Sequence, residues 1–281
     1  MDARVGLLEV LGEELAASLN TLRRAGNEQR ADLNGALVTV QAAINTLREE
    51  MNAVPYMDGV GIERFDSAVG TVEGYRSAVR ASRADDSYVL FEDAFRGPAE
   101  RVTGLQRAYL ELVAEHQPVL DIGCGRGEFL TLLRSEGIDC RGVEKDAGMV
   151  ARCHDQGLDV TLADGNEYLD ELPDEELGAV FCAQVIEHLT AEELGRLLNL
   201  AFRKLHPGGL FIAETVNPHS IPAMKTFWVD LTHRQPVFPE VALVECAIAG
   251  FVPAYVFAPG FDSFPEAKFR ATSYAVVATR P

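Results

Sequence analysis

The sequence predicts a doubly wound α/β domain with a mostly parallel sheet, preceded by a helical, coiled-coil-like extension. Three patterns carry this expectation. Short apolar, β-branched runs alternate with helix-length segments from about residue 98 onward. A glycine-rich turn leads directly from an apolar strand into a helix within VLDIGCGRGEFL, residues 119–130. A heptad seam runs near the N-terminus.

That seam is formed by Leu33, Leu37, Val40, Ile44, Leu47 and Met51, at steps of 4, 3, 4, 3 and 4, in a stretch (1–51) almost free of helix breakers. Leu8, Leu11, Leu15 and Leu22 keep heptad spacing too, but in a frame offset by one residue across the polar AGNEQRAD. Two arrangements fit: a long helix pairing with its copy in a homodimer, or two shorter helices folded as a hairpin. An ordinary amphipathic helix packed on its own domain is the plain alternative. After Pro55, a glycine-dotted, weakly helical stretch (58–82) leads through SRADDS to a boundary near 83. The expected organisation is a helical accessory segment at 1–82 and the α/β domain at 83–281.

Within that domain the pattern predicts a helix at 98–116, a strand at PVLDIGC and a helix from Gly127 to Glu136. Strands follow at 140–145, 158–163, 178–183 and 209–215, with helices at 147–156 and 191–205. Strands spaced by helices of this length imply a parallel sheet covered on both faces. FVPAYVFAP (251–259) and SYAVVATR (273–280) are joined by a loop without a helix, so they can pair antiparallel.

Composition narrows the function. With 43 acidic and 25 basic side chains in 281 residues, the net charge of −18 repels polyanions, and no local basic cluster offsets it. Nucleic acid is therefore not an expected partner. No run approaches the apolar length of a membrane span and the N-terminus lacks signal-peptide features, so a soluble cytoplasmic protein is expected. Cys124, Cys140, Cys153, Cys182 and Cys246 are odd in number and include no CxxC pair; they read as reduced thiols, mostly in the core.

The strongest chemical signal is the turn itself. Gly123, Gly125 and Gly127 let the backbone approach a ligand, and the helix start beyond them offers unpaired N–H groups. Their GxGxG spacing after Asp121 differs from the GxGxxG usual in dinucleotide folds. Glu144 ends the next strand, 19 residues after Gly125, where an acid can accept from both hydroxyls of a ribose. Asp164 ends the strand after that, where an acceptor meets an adenine amino group. Any one of these acids could simply cap a helix. Three at successive strand ends, beside the glycine turn, point to one crevice.

These segments resemble the class I S-adenosylmethionine-dependent methyltransferases. DIGCGRG is similar to their first motif, Glu144 to the second-strand acid, Asp164 with Gly165 to the third-strand motif, FCAQVIEHL (181–189) to the fourth, and LHPGGLFIAET (205–215) to the entry into the fifth strand. The resemblance covers about residues 84–281. It implies a seven-stranded sheet with an antiparallel last pair, S-adenosylmethionine as cofactor, and Asp121, Gly123, Gly125, Glu144, Asp164 and Gln184 near it. The lead-in YVLFEDAFRGPAERVTGLQRAYL (88–110) resembles that of bacterial methyltransferases acting on glycans. That narrower resemblance implies that Arg96 pairs with the cofactor's methionine carboxylate; otherwise Arg96 is a surface residue in a turn.

An alcohol acceptor needs a base, and His188 and His233 are the candidates. The segment 214–240 reads as a long loop above the sheet, the usual place for acceptor selection. In it Asp230 and His233 lie three apart, so one helical turn puts them on one face, His233 as base with Asp230 orienting it. Trp228 could stack on a sugar face, and Asn217 and His219 could bind acceptor hydroxyls. Glu187, His188, Asp230 and His233 could instead converge on a divalent metal such as Mg²⁺. The expected function is O-methylation of a sugar, glycan or glycosylated metabolite. The alternatives are a small phenolic or quinone-type acceptor, and a non-catalytic cofactor-binding scaffold working through its coiled coil.

Overall fold

The computed structural model describes residues 15–21, 23–24, 30, 32–45, 63–74 and 98–281. By compactness the chain divides into Met1–Ala53 and Val54–Pro281. In the first unit the described residues are helical, and Leu33, Leu37, Val40 and Ile44 of the expected seam are all exposed. The expected boundary near 83 lies outside the described residues.

The stretch expected to be weakly helical contains a hairpin instead: β1 (Glu63–Ser67) pairs antiparallel with β2 (Gly70–Gly74). Phe65 faces Val72 across the pair, and Gly70 takes a positive φ of 106° at the turn. A cross-strand apolar pair and a turn glycine are hairpin signals that helical spacing obscured.

The main sheet has seven strands: β3 (Val119–Ile122), β4 (Cys140–Glu144), β5 (Val160–Leu162), β6 (Leu177–Ala183), β7 (Leu205–Val216), β8 (Ala254–Phe257) and β9 (Ser273–Thr279). Their spatial order is β5-β4-β3-β6-β7-β9-β8. The five strands β3 to β7 are parallel, and β9 lies antiparallel between β7 and β8. This matches the fold the sequence predicts. All four residues of β3 and the first six of β6 are buried, as strands covered on both faces require.

On one face Leu120, Ile122, Val180 and Phe211 pack with Leu194, Leu197, Leu198 and Ala201 of the helix Ala191–Lys204. Those four follow i, i+3, i+4, i+7 spacing. Thr190 and Glu193 close a capping box at its start, a device worth about 1 kcal/mol. On the other face Val119, Phe181 and Ile212 pack with Phe129 and Leu133 of the helix Glu128–Ser135 and with Tyr109. Tyr109 belongs to a helical run, Ala99–Gln106, Arg107–Tyr109 and Leu110–Val113, where one helix was expected.

The segment 214–240 is not a continuous loop. β7 runs on to Val216, and a helix spans Ile221–Phe227. Ala223 and Phe227, four apart, bury themselves with Val216 in a small cluster that stabilises this short helix. A one-turn helix, Phe264–Ala267, also lies in the connection expected to have none. All five cysteines are free thiols, four of them buried. Among the described residues no helix is long and apolar enough to cross a membrane.

Candidate active site

From β3 the chain steps outward to β4 and β5, then returns to the other side of β3 as β6. The crevice beyond the carboxyl ends of β3 and β6 is therefore the topological switch point, where ligands bind in open α/β sheets. A cavity of about 380 Å³ opens there, and its wall includes Gly123, Gly125, Glu144, Asp164, Gly165 and Gln184. Six of the predicted cofactor residues thus share one space. Asp121 does not line it; its carboxylate is buried within β3. Arg96 lies outside the described residues.

The backbone at two glycines is shaped for this approach. Gly123 has φ of 68°, and a Cβ there would lie 2.6 Å from Cγ2 of Val185. At Gly165 a Cβ would meet Cγ2 of Ile122 at 2.5 Å. Side chains at either position would fill the floor of the cavity. The Glu144 carboxylate accepts from the backbone N–H of Gly125 at 3.0 Å and of Asp146 at 3.0 Å, so it fixes the glycine turn. Each oxygen keeps a second lone pair for a ligand. Asp164 does cap a helix: one oxygen accepts from Asn166 N–H at 2.9 Å and Glu167 N–H at 3.3 Å, while the residue still lines the cavity. Capping and ligand contact are compatible here because the cap leaves the other oxygen unused.

The same wall includes His188, Asp230 and His233, with Val216, Ala223, Val229, Thr272 and Ser273. The two imidazole centroids are 4.6 Å apart. His233 Nδ1 lies 2.7 Å from the carbonyl of Phe227, which can only accept, so Nδ1 carries the hydrogen. The Thr232 hydroxyl donates to Asp230 at 2.6 Å and therefore accepts from His188 Nδ1 at 2.9 Å. Both rings keep Nε2 as a free acceptor. His233 Nε2 is 3.7 Å from the Asp230 carboxylate. Burial, and then the neighbouring His233, push the His188 pKa down, which keeps that ring neutral.

His188, Asp230 and His233 each offer a ligand atom, all within 4.8 Å of one another. Glu187 does not join them. Its side chain is 0% exposed and is not part of the cavity wall, and neither carboxylate oxygen makes a hydrogen bond of good geometry among the described residues. Burial raises its pKa to about 8. Its backbone carbonyl instead holds the neighbouring segment, accepting from Arg234 N–H at 2.9 Å.

The three predicted acceptor-binding residues are also placed elsewhere. Asn217 is buried, and its amide donates to the carbonyls of Lys268 and Ala271, both at 2.9 Å, while its oxygen accepts from His219 N–H. His219 bonds Glu240 at 3.0 Å. Trp228 is 66% exposed and packs edge-on against Phe227, outside the described cavity wall.

Sequence reasoning missed Glu214, Gln106 and Thr232. Glu214 lies near the carboxyl end of β7 in the cavity wall, so the strand-end rule that found Glu144 and Asp164 applied to it as well. Thr232 lies between the two residues that were singled out. Gln106, within the lead-in helix, gave no signal.

Residues 106–203 match the family described as methionine biosynthesis protein MetW. Over 99 residues the chain is 33% identical to a probable S-adenosylmethionine-dependent methyltransferase of Mycolicibacterium smegmatis, covering 35% of this chain and 38% of that protein. It is 33% identical over 105 residues to a ubiquinone biosynthesis O-methyltransferase of Azorhizobium caulinodans, covering 35% and 40%. The chain thus spans 38% and 40% of the length of these curated relatives. A crystal structure of a SAM-dependent methyltransferase from Archaeoglobus fulgidus is 32% identical and superimposes with a TM-score of 0.63, covering 69% of this chain and 100% of that one.

Proposed function

Because the chain belongs to the S-adenosylmethionine-dependent methyltransferases, we propose that it methylates a hydroxyl of a sugar, glycan or glycosylated metabolite, with His233 as general base. The observation that carries this reading is the free Nε2 of His233 in the cavity wall, its Nδ1–H held by Phe227 and a carboxylate beside it. S-adenosylmethionine, when bound, supplies an electrophilic methyl group on its sulfonium.

The residues fit that cofactor. Glu144, held at the glycine turn, would receive the ribose hydroxyls, and Asp164 would receive the adenine amino group. The apolar Ile122, Val143, Ala163 and Leu197 of the same wall would flank the purine. Gln184, at a positive φ of 58° after β6, directs its side chain toward Glu214 beside the reacting end. His233 Nε2 would take the hydroxyl proton as the oxygen bonds to the methyl carbon and the carbon–sulfur bond breaks, leaving the thioether product. The imidazolium formed then faces Asp230, whose charge stabilises it. Thr232 fixes the Asp230 rotamer and the His188 ring together. His188, Thr272 and Ser273 supply further hydrogen-bonding groups, as a polyhydroxyl acceptor requires.

A phenolic or quinol acceptor is the second reading. Val216, Ala223 and Val229 in the same wall favour it, as does the name of the Azorhizobium relative. A radiolabelled methyl-transfer screen over sugars, oligosaccharides and phenols separates the two. Transfer confined to phenols overturns the sugar reading, and full turnover by His233→Ala overturns the base.

The cluster of His188, Asp230 and His233 also meets the distance requirement for a metal. Two imidazole nitrogens and one carboxylate suit zinc or manganese better than magnesium, which takes oxygen ligands. Full activity in EDTA would keep these side chains in acid–base roles. We further propose that the exposed Leu33, Leu37, Val40 and Ile44 pair with a second copy of the chain.

A further inference from the structure

We propose that Cys124 and Cys153 are a redox modification site, a dithiol that peroxide closes to a disulfide, weakening cofactor binding at the glycine turn. The effect on binding follows from the placement of S-adenosylmethionine at that turn, on which this inference rests.

Both thiols pack beneath the turn. Cys124 belongs to it, and Cys153 lies on the helix Ala147–Asp155. They are 3% and 0% exposed and share one small cluster with Leu130, Val150, Leu158 and Val160. The Cys124 sulfur fits because residue 142 of β4 is glycine, where a Cβ would lie 2.8 Å from Sγ. At Gly127, which ends the turn, a Cβ would lie 3.0 Å from the Cys153 sulfur.

The two thiols form a directed chain. Cys124 donates to the Cys153 sulfur, and Cys153 donates to the Gly125 carbonyl at 3.2 Å. Gly125 is thus held on both sides, its N–H by Glu144 and its carbonyl by Cys153. The hydrogen bond from Cys124 lowers the Cys153 pKa against the opposing effect of burial, whereas the same bond, joined by burial, raises that of Cys124. Cys153 is therefore the thiol that ionises first, and Cys124 the one that resolves. Leu130 and Leu158, which enclose the pair, also wall a second cavity of about 220 Å³, which brings a water-sized oxidant to the cluster.

The Cys153 thiolate attacks one oxygen of hydrogen peroxide, the O–O bond breaks, and the hydroxide released takes up the thiol's proton as water, leaving a sulfenic acid. The Cys124 sulfur then attacks the Cys153 sulfur. The S–S bond forms, the S–O bond breaks, and the hydroxyl leaves as water with the Cys124 proton. Two thiols are oxidised and one peroxide is reduced to two waters. A disulfide sulfur carries no hydrogen, so the Gly125 carbonyl loses its donor. Closing the sulfurs to about 2.05 Å also draws the turn toward the helix.

The test treats the reduced full chain with hydrogen peroxide and then removes the oxidant with catalase. Non-reducing peptide mapping should find Cys124 linked to Cys153. In calorimetry S-adenosylhomocysteine should bind the oxidised chain at least about tenfold more weakly than the reduced one, with dithiothreitol restoring the affinity. Saturation with S-adenosylhomocysteine beforehand should lower the linked fraction, since the coupling is reciprocal. Cys153→Ser should bind equally before and after peroxide, while Cys140→Ala, altered at the neighbouring thiol, should keep the wild-type response. Absence of the linked peptide, a linked chain of unchanged affinity, or a response that persists in Cys153→Ser overturns the assignment. A reduced chain that binds no S-adenosylhomocysteine overturns the placement of the cofactor, and this site's effect with it, whether or not the disulfide forms.

Discussion

Replacing Glu187 with Gln should flatten the pH dependence of stability. The side chain is fully buried, and burial raises its pKa from 4.5 to about 8; the neighbouring Glu214 charge adds to the rise, and the nearby Thr215 hydroxyl and backbone N–H groups offset only part of it. Below pH 4.5 the carboxyl is protonated in both folded and unfolded chains. As pH rises, the unfolded chain releases this proton first while the folded chain keeps it until about pH 8. Stability is therefore lost across that window, and the loss levels off above it. Between pH 4.5 and about 8 this differential protonation amounts to about 4–5 kcal/mol. His188, whose pKa is lowered, contributes with the opposite sign, losing stability as pH falls, but it does so in both proteins and cancels in the comparison. Urea denaturation followed by circular dichroism at several values between pH 5 and 9 measures the difference. The wild type should lose several kcal/mol more than Glu187→Gln over the range. Parallel curves would show that Glu187 is not held protonated, and the reasoning from burial would be refuted.

Gly123→Ala forces a side chain into a left-handed conformation and against Val185 at 2.6 Å, so cofactor affinity should fall at least about tenfold by calorimetry; unchanged binding would contradict the cradle. Asp230→Asn can keep the Thr232 bonds but removes the charge beside His233. Its kcat should fall about 10- to 100-fold with KM little changed, because the imidazolium formed in the transition state loses the carboxylate beside it. An unchanged kcat would remove Asp230 from the proposed base unit. Leu37→Lys should convert a sedimenting dimer to monomer, whereas a monomeric wild type would exclude the proposed seam.

The cofactor side was legible because its signals are local. A buried strand, a glycine turn and a helix start follow one another in sequence, and Glu144 and Asp164 each end a strand. The acceptor side depended on partners remote in sequence. Asn217 looked like a free loop residue, yet its amide is bound by carbonyls 51 and 54 residues away. His219 is bound by Glu240, 21 residues on. Glu187 looked like a metal ligand because it adjoins His188. On the single helical turn Ile186–His188, however, consecutive side chains diverge, and one entered the core while the other entered the cavity. The helix Ile221–Phe227 was hidden because its apolar face has only two buried residues, Ala223 and Phe227.

Those distant bonds also divide the acceptor segment into a fixed part and a free part. Phe227 is buried and its carbonyl holds His233, while the carbonyl of Glu187 receives Arg234 N–H at 2.9 Å. The buried Tyr274 donates its hydroxyl to the carbonyl of Val237 at 2.9 Å, just before the helix Pro239–Ile248 begins. His233, the proposed base, is thus held through the helix that packs on Val216 of β7 and through the turn that follows β6, as in-line transfer demands, because a small displacement of the reacting groups costs much of the rate. Between these attachments Trp228 and Leu231 are 66% and 92% exposed. They flank Val229 and Asp230, which reach the cavity wall. Trp228 lies outside the wall but adjoins Val229, which is part of it, so Trp228→Ala should raise KM for a bulky acceptor while kcat on a small unhindered acceptor holds; a fall in kcat would show instead that the position of His233 depends on this side chain.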